Sequence, residues 1–242
     1  MRRLVAVVVG GAVVVGVALA IWRYERKPAA VVAPLEQRAT NEVVLHVPHV
    51  PAGSIKLDGE TDDPGWLLPP GPVRTGAFLF ANGTPARPYS EARFVWEDGT
   101  LFVMLYAADE DIRTRTHTPD GPLWLDDSFR VVLTHGSTEY AIDVSPEGVI
   151  TDGMRTDGGA FDYGWSSGAR VGHDTDGTIN DSRDSDEEWV IELAVPFASV
   201  GMAGVPGESI GLSVRRCDTP KRSARVCGAW GAGSTRGRIV LN

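Results

Sequence analysis

Three stretches of different polarity follow one another along the chain. Leu4 to Trp22 is 19 residues without a charged side chain. A helix of that length, rising about 1.5 Å per residue, nearly spans a hydrocarbon core of roughly 30 Å. Pro28 to Pro51 then mixes Pro, Ala, Val and polar residues with no helical period, as an extended stalk or a first edge strand would. From about Ile55 onward apolar and polar positions alternate with period two, the signature of half-buried strands. Glu91-Ala-Arg-Phe-Val-Trp96 and Thr100-Leu-Phe-Val-Met-Leu-Tyr106 flank Glu97-Asp98-Gly99, and Asp-Gly favours a tight hairpin turn. Ser128 to Thr134 and Glu139 to Val144 flank His135-Gly136 in the same way. Trp189 to Val195, Ser209 to Arg216, Val226 to Trp230 and Arg238 to Leu241 complete the set. The body offers no long apolar stripe of period 3.6. Short strands separated by Gly-rich turns predict an all-β, antiparallel β-sandwich, preceded by one N-terminal transmembrane helix. The expected division is residues 1–27 as signal-anchor, 28–51 as stalk and 52–242 as the sandwich.

The flanks of the apolar run refine the first assignment. Arg2 and Arg3 precede it, Arg23, Arg26 and Lys27 follow it, and Trp22 and Tyr24 suit a membrane interface. This predicts an uncleaved anchor through residues 4–22; basic residues at both ends leave its orientation open, and the two cysteines further along favour a body in the cell envelope, periplasmic or otherwise outside the cytoplasm. Cleavage and secretion is the competing reading, since Ala18-Leu-Ala20 and Val31-Val-Ala33 have the small-x-small form. Against it, Ile21 and Trp22 prolong the apolar run past the first site and Pro34 follows the second.

Charge narrows the partners. The chain carries −9 in all, and the five basic residues of the first 27 against Glu25 make +4, leaving −13 for residues 28–242. A body so acidic repels nucleic acid and anionic lipid, so neither is an expected partner, whereas cations and neutral sugars remain open. Cys217 and Cys227 are the only cysteines, at a spacing unlike a zinc knuckle or a Cys-x-x-Cys redox pair. On two adjacent strands they would close a short hairpin, as suits an exported domain; two buried free thiols are the alternative.

The order of motifs along the body resembles the carbohydrate-binding family 9 modules. Ile55-Lys-Leu-Asp-Gly-Glu60 followed by Trp66 is similar to the family's opening, and Ala92-Arg-Phe-Val-Trp96 with Leu101-Phe-Val103 to its central hairpin. Ala108-Asp-Glu-Asp111, Trp124-Leu-Asp-Asp127-Ser128, Glu188-Trp-Val-Ile-Glu192, Ala194-Val-Pro-Phe197, Ile210-Gly211 with Arg215, and Gly237-Arg-Ile-Val-Leu241 follow in family order. The resemblance implies a jelly-roll-like sandwich and a binding module, not an enzyme, with an oligo- or polysaccharide as ligand. In sugar-binding members two aromatic rings sandwich a sugar while charged or amide side chains bond its hydroxyls. Trp124 matches the first ring, and Asp127 and Arg130 join it as candidate contacts. The second ring belongs in the loop before the last strand, here Gly231-Ala-Gly-Ser-Thr235, which has no aromatic. The family's acidic position on the strand after Ser128 falls on Arg130, and its basic position on the next strand on Ala141. The family site is thus incomplete, and an envelope scaffold or protein-interaction domain on the same fold is the alternative function.

Other chemistry has weaker support. Ser-His-Asp catalysis lacks a Gly-x-Ser-x-Gly elbow. A haem would need Met104 with His135 or His173, for which core and surface roles are the simpler reading. His46 and His49 lack a third ligand nearby in sequence. Structural calcium is implied by the resemblance, and the run from His173 through Asp174, Asp176, Asn180, Asp181, Asp184 and Asp186 is rich in oxygen ligands without matching an EF-hand.

Overall fold

A computed structural model describes residues 41–67, 69–221, 224–231 and 235–242. The anchor, its cleavage alternatives and most of the stalk lie outside the described residues. Among the described residues no helix is long and apolar enough to cross a membrane.

Among the described residues, twelve strands build two sheets. β1 is Asn41–Val47, β2 Val73–Arg74, β3 Ser90–Glu97, β4 Thr100–Ala108, β5 Ser128–His135, β6 Thr138–Val144, β7 Ile150–Thr156, β8 Arg170–Asp176, β9 Glu188–Pro196, β10 Ser209–Asp218, β11 Val226–Trp230 and β12 Thr235–Leu241. One sheet runs β1-β12-β10-β5-β6-β7, with β11 also paired to β10; the other runs β2-β3-β4-β9-β8. β1 lies parallel to β12, and the other pairings are antiparallel.

The period-two pattern works as expected because alternate side chains leave opposite faces of a strand. Phe129, Val131 and Leu133 of β5 and Ile210, Leu212 and Val214 of β10 point inward. They meet Phe94, Leu101, Val103, Leu105, Trp189, Ile191 and Leu193 from the opposing sheet in one core. Phe129 spans the layers, its ring 4.9 Å from Trp189 and 6.1 Å from Phe78. Burying each such side chain contributes on the order of 1.5–3 kcal/mol. The predicted hairpins form, and Gly99 and Gly136 adopt the positive φ that their turns require.

A second, smaller core accounts for the opening motif. Val50, Ile55 and Trp66 pack on Val95, Phe102, Met104, Val190 and Ala194, covering the outer face of the five-stranded sheet. Glu192, fully buried there, accepts bonds from Trp66 Nε1 at 2.6 Å and from the backbone N–H of Asp58 and Gly59. Burial raises its pKa, and these three donors offset the cost. Met104 is therefore a core residue. Trp66, Trp96 and Trp189 are likewise buried.

Two strands depart from the sequence expectation. His173 to Asp176, the start of the acidic run rich in oxygen ligands, belongs to β8, an edge strand whose polar side chains face out. The carboxylates beyond it are tied locally: Asp186 caps the N–H of Ile112 and Thr178, and Asp181 pairs with Arg183. β7, with Asp152 and Gly153 at its centre, carries too few apolar residues for the alternation to show. Cys217 and Cys227 are directly opposed in the β10–β11 ladder and form a disulfide.

Candidate functional site

The outer face of the seven-stranded sheet is polar and carries the exposed aromatics. Its position along the chain is set by the Asp126-Asp127-Ser128 segment. Asp126 Oδ2 accepts the Thr116 N–H at 2.8 Å. Asp127 accepts the N–H of Arg113 at 2.7 Å and of Thr219 at 2.8 Å, one on each oxygen. With both carboxylates clamped to neighbouring backbone, the preceding 3₁₀ turn, Leu123–Leu125, has a fixed orientation. Leu123 enters the interior, and Trp124 is left 47% exposed.

Trp124 faces a second ring. Tyr163 is 45% exposed, and the two ring centroids are 6.5 Å apart with a tilt of 41°. Tyr163 comes from the loop between β7 and β8, where Asp162 bonds back to Met154 in both directions and lays the loop along the edge of β7. Gly153 makes this possible: a Cβ there would stand 3.0 Å from Tyr163 Cδ1. Phe161 follows at 6.1 Å from Tyr163 and lies under the Arg155 guanidinium at 4.7 Å, a cation–π contact. The sequence reading, which sought a second ring in residues 231–235, missed these aromatics. The signal was present as Phe161-Asp-Tyr163-Gly-Trp165, aromatics at alternate positions in a Gly-rich loop.

Beside the rings runs a row of charges fixed by register. Arg130 of β5 opposes Asp143 of β6 on one side and Arg215 of β10 on the other. Arg130 donates to Asp143 from Nε at 2.7 Å and Nη2 at 2.6 Å, a two-pronged pair, and the Tyr163 hydroxyl lies beside its guanidinium. The bond to Asp143 raises the Arg130 pKa above its ordinary value. The family's acidic position is Arg130 here and its basic position Ala141; the carboxylate that pairs with Arg130, Asp143, lies two residues beyond Ala141 on β6. Further along the same face Arg155 pairs with Glu139. There Thr134, Gly211, Ser213 and Arg238 border a depression of about 610 Å³.

Of the three sugar-contact candidates, Trp124 and Arg130 therefore share this face and Asp127 does not. Asp127 is 0% exposed, on the inner side of the strand start, and cannot reach a surface ligand. It belongs instead to a buried cluster in which carboxylate oxygens of Asp109, Asp127 and Asp218 lie within 4.8 Å of one another. Arg216 Nη2 reaches Asp109 at 2.7 Å and Asp218 at 3.1 Å, and the Trp189 indole N–H also donates to Asp109. Burial, reinforced by the charge of Asp109, pushes the Asp127 pKa up to about 7 despite its two backbone donors. Burial raises that of Asp218 as well, against the pull of Arg216. A calcium ion does not fit this cluster. Calcium takes six to eight oxygens, whereas five of these six carboxylate oxygens already accept N–H bonds and a guanidinium holds the cation's place. Asp218 Oδ2 is the one left without a partner among the described residues.

No family model and no curated protein matches the chain. Solved structures do. A Bacteroides uniformis protein provisionally described as carbohydrate-binding superposes with a TM-score of 0.65 at 13% identity, over 82% of this chain and 99% of its own. A family 9 carbohydrate-binding module from Caldicellulosiruptor kristjanssonii, solved with cellotriose, gives 0.55 at 16% identity over 83% and 94%. The same module with glucose gives 0.55 at 16% over 83% and 96%. At such identities the likeness establishes the fold, a family 9-like β-sandwich.

Proposed function

We propose that this chain is a saccharide-binding module whose ligand lies on the outer face of the seven-stranded sheet, against Trp124 and Tyr163. The observation that carries the reading is the pairing of two large, half-exposed rings beside a rigid guanidinium–carboxylate pair. A pyranose has an apolar face of C–H groups and a rim of hydroxyls. A ring stacked on the face removes water from both, and fixed charged groups at the rim exchange bonds with the hydroxyls. The exposure of Trp124 favours this over the scaffold reading, for which the ring would be expected inside. The fold shared with modules solved with cellotriose and glucose supports it too. In the same proposal the N-terminal apolar run tethers the module at a membrane, with the sandwich outside the cytoplasm.

Calorimetric titration of the full-length chain in detergent with xylo- and gluco-oligosaccharides tests the site. Trp124→Ala and Tyr163→Ala are each expected to weaken binding at least tenfold while melting stays within a few degrees of the parent, since both rings are surface residues. Unchanged affinity in both variants, or no binding of any oligosaccharide at millimolar concentration, would leave the scaffold reading standing.

A further inference from the structure

We propose that the outer face selects saccharides that carry a carboxylate, with Arg215 as the residue that receives it. The inference rests on the saccharide reading above and names its ligand class. Arg130, the basic group nearest the rings, is not available for an anion, because Asp143 occupies its fork. Arg155 is similarly engaged by Glu139. Arg215 is different. It points out of β10 on the same face, is exposed, and has no hydrogen-bond or ion-pair partner among the described residues. In this row of three arginines and two carboxylates, the charge of Arg215 is the one left over.

Its position suits one end of an extended ligand. From Gly153, over which Tyr163 lies, the ladder crosses β7, β6, β5 and β10. Three strand spacings at about 4.8 Å lead to Ser213, and Arg215 stands two residues further along β10, so the span is roughly 16 Å, the length of about three pyranose units. A sugar stacked on Trp124 and Tyr163 would thus extend over the Arg130–Asp143 pair and bring a later unit to Arg215. Beyond Arg215 the surface opens into a depression of about 570 Å³, bordered by Ala77, Leu79, Ala229 and Trp230. Burial and then the neighbouring charge of Arg130 lower the pKa of its guanidinium, with Asp143 pulling the other way. A carboxylate offsets both by its opposite charge, and its two oxygens match the planar fork. The −13 of residues 28–242 opposes an anion at long range, but at physiological salt that field decays over about 8 Å, whereas the contact does not.

The test compares two ligands of one shape: cellotriose, and its C6-oxidised counterpart, β-1,4-linked triglucuronate. Titrated calorimetrically into the full-length chain, the acid form is expected to bind at least tenfold more tightly at low salt. That advantage should shrink in 0.5 M sodium chloride, where the Debye length is roughly half its physiological value. Arg215→Gln is expected to abolish the preference and leave cellotriose affinity unchanged, and Arg215→Lys to keep part of it. Equal or tighter binding of cellotriose, or a preference for triglucuronate that survives Arg215→Gln, overturns the inference and leaves the aromatic platform intact. Binding of neither ligand overturns both.

Discussion

Asp218 and Asp127 are the residues at which burial and ionisation conflict most. For Asp127 the folded pKa of about 7 lies above the ordinary carboxylate value of 3.8, and that of Asp218 is raised too. The folded state therefore binds more protons than the unfolded chain across that interval. The stability each group contributes is fully present below the unfolded pKa and is lost as pH rises through the folded one, at up to about 1.4 kcal/mol per pH unit. The domain should melt at a higher temperature at pH 5.5 than at pH 8. Asp218→Asn separates this cluster from other carboxylates, since an amide keeps the acceptor that Arg216 uses and places a neutral NH₂ where Oδ2 stands unpartnered. Melting curves should show the variant equal to or above the parent at pH 8, with a smaller gain on acidification. A variant destabilised equally at both pH values would contradict the assignment.

Among the elements, β5 does the most. Its inward side chains join the two sheets, its outward Arg130 anchors the charge row, and the turn before it presents Trp124. Phe129 is the tie between layers, in contact with Trp189 of β9 and with Phe78. Phe129→Ala would leave a cavity that backbone on both sides cannot close, at a cost of about 3–5 kcal/mol. Chemical denaturation should show this as a lower midpoint with an unchanged slope. The Cys217–Cys227 bond acts on the β10–β11 hairpin instead, mainly by limiting the unfolded chain, with a contribution of roughly 3 kcal/mol for so short a loop. Its location on the outer face, one row from Arg215, also keeps the strand that carries this residue paired to β11.

For the molecule as a whole, a body of −13 would be expected to gain from divalent cations. The buried acidic side chains are nonetheless placed as caps and pairs: Asp126 and Asp127 hold backbone N–H groups, Glu192 holds the opening segment, and Asp109 and Asp218 hold Arg216. Each has an internal donor, so a dedicated calcium cage is not needed to keep them apart. Thermal melts in millimolar calcium and in excess chelator should then coincide within about a degree, because only a ligand that binds the folded state shifts its stability. A rise of several degrees with calcium would show that an oxygen site exists elsewhere in the chain.

The sequence by itself determined the sandwich, because alternation is a local property: each strand declares which face is apolar without reference to its neighbours. It also determined the disulfide partners, there being one pair, and the prominence of Trp124 next to Asp-Asp-Ser. Register lay beyond it. Whether Arg130 meets Asp143, Asp127 or a ligand depends on which residue stands opposite across β6, and a shift of one position would send that side chain to the other face. The burial of Asp127 follows from the same alternation, one residue out of step with the exposed row. The second ring was the least legible part. Tyr163 lies 39 positions after Trp124, and the two meet because the loop before β8 folds back along β7 over a residue with no side chain. Such a contact is decided by tertiary packing, where a distant glycine leaves the space and a loop of suitable length fills it.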